Sequence, residues 1–189
     1  MNPFPYKRIV VIGTTSSGKS TLAQELSKRL GIPYVELDAL FWEPNWQEAS
    51  PLDFWLRVEA AIEPEDWVVA GNYSHVRDLI WERADLVIWL DYSFHIVFWR
   101  LLTRTIRRAW TQEDLWNGNR ETFWWHLKFW SEESLFHWLF KTYWRRKREI
   151  PVLLARPEYE HLQAIRFNHP HEAKEWLETI NAGALHPNP

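Results

Sequence analysis

Residues 13–20 have the types and the spacing of a phosphate-binding loop. They read GTTSSGKS and match the pattern GxxxxGK[ST], in which backbone N–H groups surround the phosphates. In such a loop the ammonium group of the lysine, here Lys19, neutralises the β- and γ-phosphates. The hydroxyl of the next residue, Ser20, binds Mg²⁺. The pattern therefore predicts a site for a nucleoside triphosphate, with ATP and Mg²⁺ as the expected ligands.

The segments on either side of this loop predict the strand and the helix that such a site requires. Residues 7–12 are mostly apolar and β-branched, as in a buried parallel strand. Residues 18–30 place leucines at helical spacing, and Gly31 can end that helix. The N-terminus of the helix then adds its own N–H groups to the loop. The candidate nucleotide-binding residues are Gly13, Ser16, Ser17, Gly18, Lys19, Ser20 and Thr21.

The rest of the chain alternates between strand and helix patterns, which predicts a parallel α/β sheet in a single domain spanning residues 1–189. The further predicted strands lie at about 34–38, 67–71, 86–91 and 162–167. The further predicted helices lie at about 51–62, 74–82 and 93–109, with a last one starting at Pro170. Ligands of such sheets bind beyond the carboxyl ends of the strands, so residues just after each strand are candidate site residues.

Three carboxylates occupy such positions. Glu36 and Asp38 end the second strand and share one face of it. A carboxylate there can orient Mg²⁺ through water or accept a proton from an acceptor hydroxyl. A helix cap or a turn is the alternative for Asp38, and Asp91, after the fourth strand, is either a cap or a metal-facing group. The predicted metal-binding residues are Ser20, Glu36 and Asp91, and Asp38 is the predicted catalytic carboxylate.

The third strand ends in a short polar turn that contains Gly71, Asn72 and Tyr73. Gly71 can let the backbone approach a ligand closely, and either of the next two side chains can contact it. An ordinary turn explains these residues almost as well. Together with Asp38, they are the predicted binding site for a phosphate acceptor.

The helix predicted at 93–109 carries a stripe of arginines at intervals of three and four residues: Arg100, Arg104, Arg107 and Arg108. Fixed positive charge of this kind stabilises the transition state of phosphoryl transfer. Arg120 follows in the string LWNGNRE, a turn that can bring it over the phosphates. We expect Arg100 to bind nucleotide and Arg104 and Arg120 to act in catalysis, although a solvated basic face also explains the stripe. The contiguous basic run 145–148 is interpreted mainly as solvated surface.

Composition narrows the possible classes of protein. The chain contains no cysteine, which excludes disulfides and a thiolate zinc site. No apolar run is long enough to span a membrane, and the early charges Lys7 and Arg8 argue against a signal peptide, so we expect a cytoplasmic protein. Seven of the 15 tryptophans fall between residues 110 and 144. They fill a helical core or form an aromatic surface for a base, a protein partner or a membrane.

With these motifs, the chain resembles the adenylate-kinase-like P-loop small-molecule kinases, and within them the bacterial group called topology modulation proteins. The strings that carry the resemblance, besides the loop, are LDALFW, GNY, WERADLVIWLD and LWNGNRE. The resemblance implies a five-stranded parallel sheet of order 2-3-1-4-5 and a helical lid inserted at about 108–140, whose arginines close over ATP. It implies phosphate-clamping roles for Arg100, Arg104 and Arg120. Adenylate kinases carry an aspartate where this chain has Ala70, so another carboxylate must complete the metal site or turnover is weak.

Two functions remain open on this basis. The first is an ATP- and Mg²⁺-dependent phosphotransferase that moves the γ-phosphate to a small acceptor, such as a nucleoside, a nucleotide or a hydroxyl metabolite. The second is an ATP-binding regulator whose tryptophan-rich lid docks a protein partner. A GTPase is disfavoured because no Asn-Lys-x-Asp string is present. Direct binding to DNA is also disfavoured, because the chain outside residues 99–148 is acidic.

Overall fold

Five parallel strands form one sheet, and two short strands form a separate hairpin. The structure is a computed structural model that describes residues 4–111, 117 and 135–180. Within the described helices, the backbone alone is described at 109–111. In chain order the strands are β1 (Arg8–Gly13), β2 (Tyr34–Glu36), β3 (Trp42–Glu43), β4 (Gln47–Glu48), β5 (Trp67–Ala70), β6 (Leu86–Leu90) and β7 (Gln163–Phe167). The five-stranded sheet has the order β2-β5-β1-β6-β7, which confirms the predicted order 2-3-1-4-5.

The register of the sheet places β1 at its centre. Val10 lies opposite Val69 of β5 on one side and Val87 of β6 on the other. At the carboxyl end of β2, Glu36 lies directly opposite Ala70 of β5. Because all five strands are parallel, the segments that follow them emerge at the same edge of the sheet.

Seven α-helices are described: α1 (Lys19–Leu30), α2 (Leu37–Phe41), α3 (Pro51–Ala61), α4 (Arg77–Trp81), α5 (Phe94–Thr111), α6 (Leu135–Leu154) and α7 (Pro170–Thr179). The second strand is shorter than predicted, because α2 begins immediately after Glu36. Asp38 therefore lies in the first turn of a helix rather than on a strand. The β3–β4 hairpin, with two residues in each strand, is not indicated by any period-two pattern in the sequence.

Alternate residues of β1 point to opposite faces of the sheet, and each face has its own apolar core. Ile9 and Val11 belong to a core that α1, α5 and α7 cover, whereas Val10 and Ile12 belong to a core that α3 and α4 cover. Each fully buried aliphatic side chain contributes about 1.5–3 kcal/mol to folding. The result is a three-layer arrangement with helices on both sides of the sheet.

The first half of α6 packs in one of these cores and its second half packs in the other. Phe136, Leu139 and Tyr143 belong to the first core, and Ile150 and Leu153 belong to the second. None of the described helices is both long and apolar enough to cross a membrane. Of the lid predicted at about 108–140, only the end of α5, residue 117 and the start of α6 are described, so the lid stays a prediction.

Candidate functional site

The loop between β1 and α1 holds its shape through two glycines. A Cβ on Gly13 would lie 2.5 Å from the Oγ atom of Ser17 and 3.1 Å from the carbonyl oxygen of Leu90, so no larger residue fits there. Gly18 has a φ of +92°, in the left-handed region, and precedes α1 without any side-chain cap. Within the loop, the N–H of Ser17 donates to the carbonyl of Thr14 at 3.2 Å.

Three hydroxyls in this loop fit a bound anion. The side-chain oxygens of Thr14, Ser16 and Ser17 are buried, and none has a hydrogen-bond partner among the residues that the structure describes. Buried polar atoms of this kind are usually paired, so several together mark a place for a ligand. A triphosphate supplies the acceptor oxygens that these donors and the N-terminus of α1 lack. The residues present therefore fit the expected nucleotide.

Lys19 begins α1 and is half-buried at the edge of the sheet. Burial lowers the pKa of its ammonium group, while the negative charges of Asp38 and Glu36 oppose that decrease. The lysine of the loop, the last residue of β2 and the carboxylate in the first turn of α2 therefore share one site. This brings together residues that sequence reasoning placed in two separate motifs.

Glu36 lies beside the hydroxyl of Ser20. Its side chain accepts a hydrogen bond from the hydroxyl of Tyr34, and its Oε1 atom is buried without a hydrogen-bond partner among the described residues. Burial raises the pKa of Glu36, and the nearby hydroxyls of Ser20 and Tyr34 oppose this rise. Mg²⁺ is commonly bound through one or two carboxylates together with the phosphates of the substrate. Ser20 and Glu36 fit that pattern.

Tyr34 is a site residue that the sequence reasoning missed. It precedes Glu36 by two positions, and residues two apart on a strand share a face. Burial raises the pKa of Tyr34, and the charge of Glu36 raises it further. Tyr34 therefore stays a neutral donor to this carboxyl group. The spacing of two was the signal that could have identified it.

The structure brings Asp38 and Tyr73 into direct contact. The hydroxyl of Tyr73 donates to the Oδ1 atom of Asp38 at 2.6 Å, across 35 positions in the sequence. Burial raises the pKa of Tyr73, and the charge of Asp38 adds to this increase, so the phenol keeps its proton. The adjacent Asn72 is half-buried. Two of the predicted acceptor-site residues thus form one pair.

Gly71 packs closely against the start of α2. It has a φ of +144°, and a Cβ there would lie 2.7 Å from the Cβ atom of Leu37. The space above this glycine is already filled by the first residue of α2. The packing against α2 thus accounts for a glycine at this position, and the expected contact of Gly71 with an acceptor stays a prediction.

Two members of the arginine stripe lie at the loop. The Nη1 atom of Arg100 donates to the carbonyl of Ser17 at 2.8 Å. Arg104 lies close enough to Lys19 for its charge to lower the pKa of that ammonium group. A cleft of about 200 Å³ runs along this side of α5, between Arg100 and Arg107. Arg120 lies outside the described residues, and so does most of the string LWNGNRE.

Arg146 is a second residue that the sequence reasoning missed. Its Nη1 atom donates to the carbonyl of Gly13 at 3.4 Å. Burial lowers the pKa of this guanidinium, and the charge of Asp38 opposes the decrease. The interpretation of residues 145–148 as solvated surface is therefore wrong for this position. Its place three residues after Tyr143 and four before Ile150, in line with the buried stripe of α6, was the available signal.

Asp91 pairs with two cations, and its metal-facing role stays a prediction. Its Oδ2 atom accepts hydrogen bonds from the guanidinium of Arg166, and its Oδ1 atom lies 3.4 Å from the Nζ atom of Lys147. Only 5% of its side chain is exposed, so the two cations balance a buried charge. Asp91 thus links β6, β7 and α6. The described part of the chain contains no cluster of three or more metal-ligating side chains.

No protein-family model matches this chain, and no curated protein matches it. Among solved structures it is similar to a shikimate kinase from Aquifex aeolicus vf5, with a TM-score of 0.51 and 17% identity over 95% of this chain and 99% of the other. It is also similar to a gluconokinase from Sinorhizobium meliloti 1021, with a TM-score of 0.50 and 19% identity over 94% of this chain and 91% of the other. At such low identity the likeness concerns the fold. The chain has the fold of the P-loop small-molecule kinases.

Proposed function

We propose that this protein is an ATP- and Mg²⁺-dependent phosphotransferase that moves the γ-phosphate to a small acceptor. The observation that carries the proposal is the meeting of Lys19, Glu36 and Asp38 beside a loop of unpartnered hydroxyls. A fold shared with kinases of small metabolites supports it. Fold alone does not define chemistry, so the proposal depends on these residues.

The loop binds and orients the triphosphate. Its N–H groups and hydroxyls donate to phosphate oxygens, and the ammonium group of Lys19 neutralises charge on the β- and γ-phosphates. Ser20 and Glu36 would hold Mg²⁺, which supplies further charge neutralisation when it is bound. Arg100 and Arg104 add fixed positive charge from α5. The clamping role of Arg120 stays a prediction.

Asp38 is the proposed general base. It accepts the proton of the acceptor hydroxyl while that oxygen forms a bond to the γ-phosphorus and the bond to the β-phosphate oxygen breaks, releasing ADP. Tyr73 acts as a positioning residue, because its hydrogen bond at 2.6 Å fixes the carboxylate. Asn72 is proposed to contact the acceptor from the same turn.

The absence of an aspartate at Ala70 does not argue against transfer. Ala70 is fully buried on β5, and Glu36 lies opposite it in the sheet register. The neighbouring strand thus supplies a carboxylate at the same level of the sheet. Glu36 is the proposed replacement for the carboxylate that adenylate kinases carry on the next strand.

The charges around Asp38 support an acceptor that is itself anionic. The guanidinium of Arg146 lies near Asp38, and Arg77 lies near enough to Arg146 for its charge to add a smaller contribution to lowering the pKa of Arg146. The Nε atom of Arg77 is buried and has no hydrogen-bond partner within the described ranges. Two desolvated guanidiniums favour a phosphate or carboxylate group on the acceptor, as in a nucleotide or an acidic hydroxyl metabolite.

The closer resemblance to topology modulation proteins stays a prediction.

The test is ADP release from Mg-ATP in the presence of nucleosides, nucleoside monophosphates and small hydroxy acids. Acceptor-stimulated release that Lys19→Ala abolishes is the expected result. Lys28→Ala is the matched control, since Lys28 lies on the same helix and is exposed. Turnover retained by Lys19→Ala would contradict the role of the loop. Tight binding of ATP without stimulation by any acceptor would instead favour the regulator that binds ATP and docks a protein partner.

A further inference from the structure

Five aromatic rings form a continuous surface across α5 and α6. The ring of Phe94 lies 5.9 Å from Phe98, 5.1 Å from Phe140 and 6.3 Å from Trp144, measured between centroids. Phe98 in turn lies 6.4 Å from Trp99. We call this surface, made of Phe94, Phe98, Trp99, Phe140 and Trp144, the aromatic face.

Much of the aromatic face is exposed. Trp99 is 61% exposed, Trp144 57% and Phe140 52%. Ile106, which is 49% exposed, follows Trp99 by seven residues and so lies on the same side of α5. Single exposed apolar residues are ordinary, but contiguous ones of this size mark an interaction surface.

The charged residues of α5 and α6 are basic except for Glu149 near the end of α6. Residues 94–111 and 135–148 contain no aspartate or glutamate, although the whole chain has a net charge of −3. Their lysines and arginines are Arg100, Arg104, Arg107, Arg108, Lys141, Arg145, Arg146, Lys147 and Arg148. Lys141 and Arg148 are exposed and lie three residues before and four residues after Trp144, next to the aromatic face.

We infer that the aromatic face binds the surface of an anionic lipid bilayer. Tryptophan and phenylalanine rings partition into the interfacial layer, and adjacent lysines and arginines attract anionic headgroups while their aliphatic stems cover apolar surface. The inference does not rest on the proposed transfer reaction. It would place a phosphoryl-transfer site near a membrane that no helix of the described part spans.

Two other occupants fit the observations less well. A symmetric contact with a second copy of the chain would bring the basic residues of both copies together, which costs electrostatic energy. Single-stranded nucleic acid needs open ring faces on which bases stack. The ring of Trp144 is nearly parallel to Phe94, at an angle of 12°, so one of its faces is already covered.

The test is co-sedimentation of the full chain with vesicles of phosphatidylcholine alone and of phosphatidylcholine mixed with phosphatidylglycerol. We expect binding to the anionic vesicles that weakens with added salt. Trp99→Ser combined with Trp144→Ser should reduce the partition coefficient at least about tenfold. The matched control combines Leu52→Ser with Trp55→Ser, which removes two exposed apolar side chains from α3.

A second variant controls for the possibility that the tryptophan double mutant fails to fold. Lys141→Glu combined with Arg148→Glu leaves every ring in place and should abolish the preference for anionic vesicles. Equal binding to neutral and anionic vesicles would overturn the inference, and so would unchanged binding by both double mutants. The inference would also be overturned if the chain does not bind vesicles but instead dimerises or binds a single-stranded oligonucleotide, and the tryptophan double mutant loses that property.

Discussion

Replacing Arg146 with methionine should separate activity from stability. Methionine keeps an unbranched side chain of similar length among the apolar neighbours of the α6 stripe, but it removes the charge. The lost hydrogen bond to the carbonyl of Gly13 spans 3.4 Å, near the upper limit for such a bond. We therefore assign it only about 1 kcal/mol.

The desolvation of Arg146 opposes this loss. Burial lowers the pKa of its guanidinium, which means that the surroundings penalise the charged form. Apolar replacement of buried charges is often neutral or stabilising by about 1–4 kcal/mol, provided that no partner is left buried without compensation. In the Arg146→Met variant, Asp38 still accepts the hydrogen bond from Tyr73 and still lies near the charge of Lys19, so it is not left without compensation. We expect the free energy of unfolding to change by less than about 1 kcal/mol.

The activity should respond much more strongly. Arg146 contacts the loop at Gly13 and lies near Asp38, so we expect its charge to act on the transferring group, and loss of such a fixed positive group typically costs about 10²- to 10³-fold in rate. The assay is kcat/KM for acceptor-stimulated ADP release, measured beside urea denaturation of the same preparation. Arg145→Met is the control, because Arg145 is exposed and pairs with Glu149 at 3.7 Å on the helix surface.

Two results would refute this reasoning. The first is equal kcat/KM in the two variants, which would reduce Arg146 to a bystander of the reaction. The second is a fall in the free energy of unfolding of about 3 kcal/mol or more, as expected when a buried ion pair is broken. That outcome would make Arg146 a structural residue.

Three further predictions concern the scaffold. Asp91→Asn should lower the free energy of unfolding by about 1–3 kcal/mol, because it leaves two partly buried cations without a counter-charge. If Asp91 were instead a metal ligand, the dependence of ADP release on Mg²⁺ concentration would shift as well. Gly71→Ala should cost about 2–4 kcal/mol in urea denaturation, since it adds a clash to an unfavourable φ. Gly31→Ala is the control, because Gly31 has a φ of +71° and no neighbour within 4 Å. An equal loss of stability in both variants would mean that the clash with Leu37 contributes nothing. Burial raises the pKa of Asp85, but the hydrogen bonds with Arg8 outweigh this effect and hold the pKa below its usual value. The stabilisation that Asp85 gives the folded state is therefore present above the unfolded-state pKa. It is lost as the pH falls through the folded-state pKa. Asp85→Asn should flatten the acid limb of a plot of stability against pH, and an unchanged limb would contradict this.

The sequence predicts the central sheet well, because strong local signals coincide there. The strand of Val10, the glycine loop and the leucine spacing of α1 each indicate the same unit, and the order of the strands follows from the resemblance. The end of β2 was less predictable. Pairing with β5 stops at Glu36, and nothing in the local pattern marks the start of α2 at the next residue.

The candidate site was predicted where its residues belong to one short motif. Lys19 and Ser20 are examples. Pairing between distant residues was harder to predict, because the partner of a charged side chain depends on which residues the fold places beside it. Asp91 follows a strand as a ligand would, yet it pairs with Arg166 from a strand 75 positions later. Arg146 reads as one charge in a basic run, and only its alignment with a buried stripe distinguishes it.

Adjacent residues of α6 contact two different strands, and this constrains how the chain can vary. Arg146 contacts the end of β1, and its neighbour Lys147 pairs with the carboxylate that follows β6. One inserted residue between Tyr143 and Arg146 would rotate both contacts by about 100° and shift them by about 1.5 Å along the helix. An insertion or deletion between Tyr143 and Ile150 would therefore break both contacts as well as the core packing of α6. Length variation among natural relatives should therefore spare this helix and fall in the segments outside it.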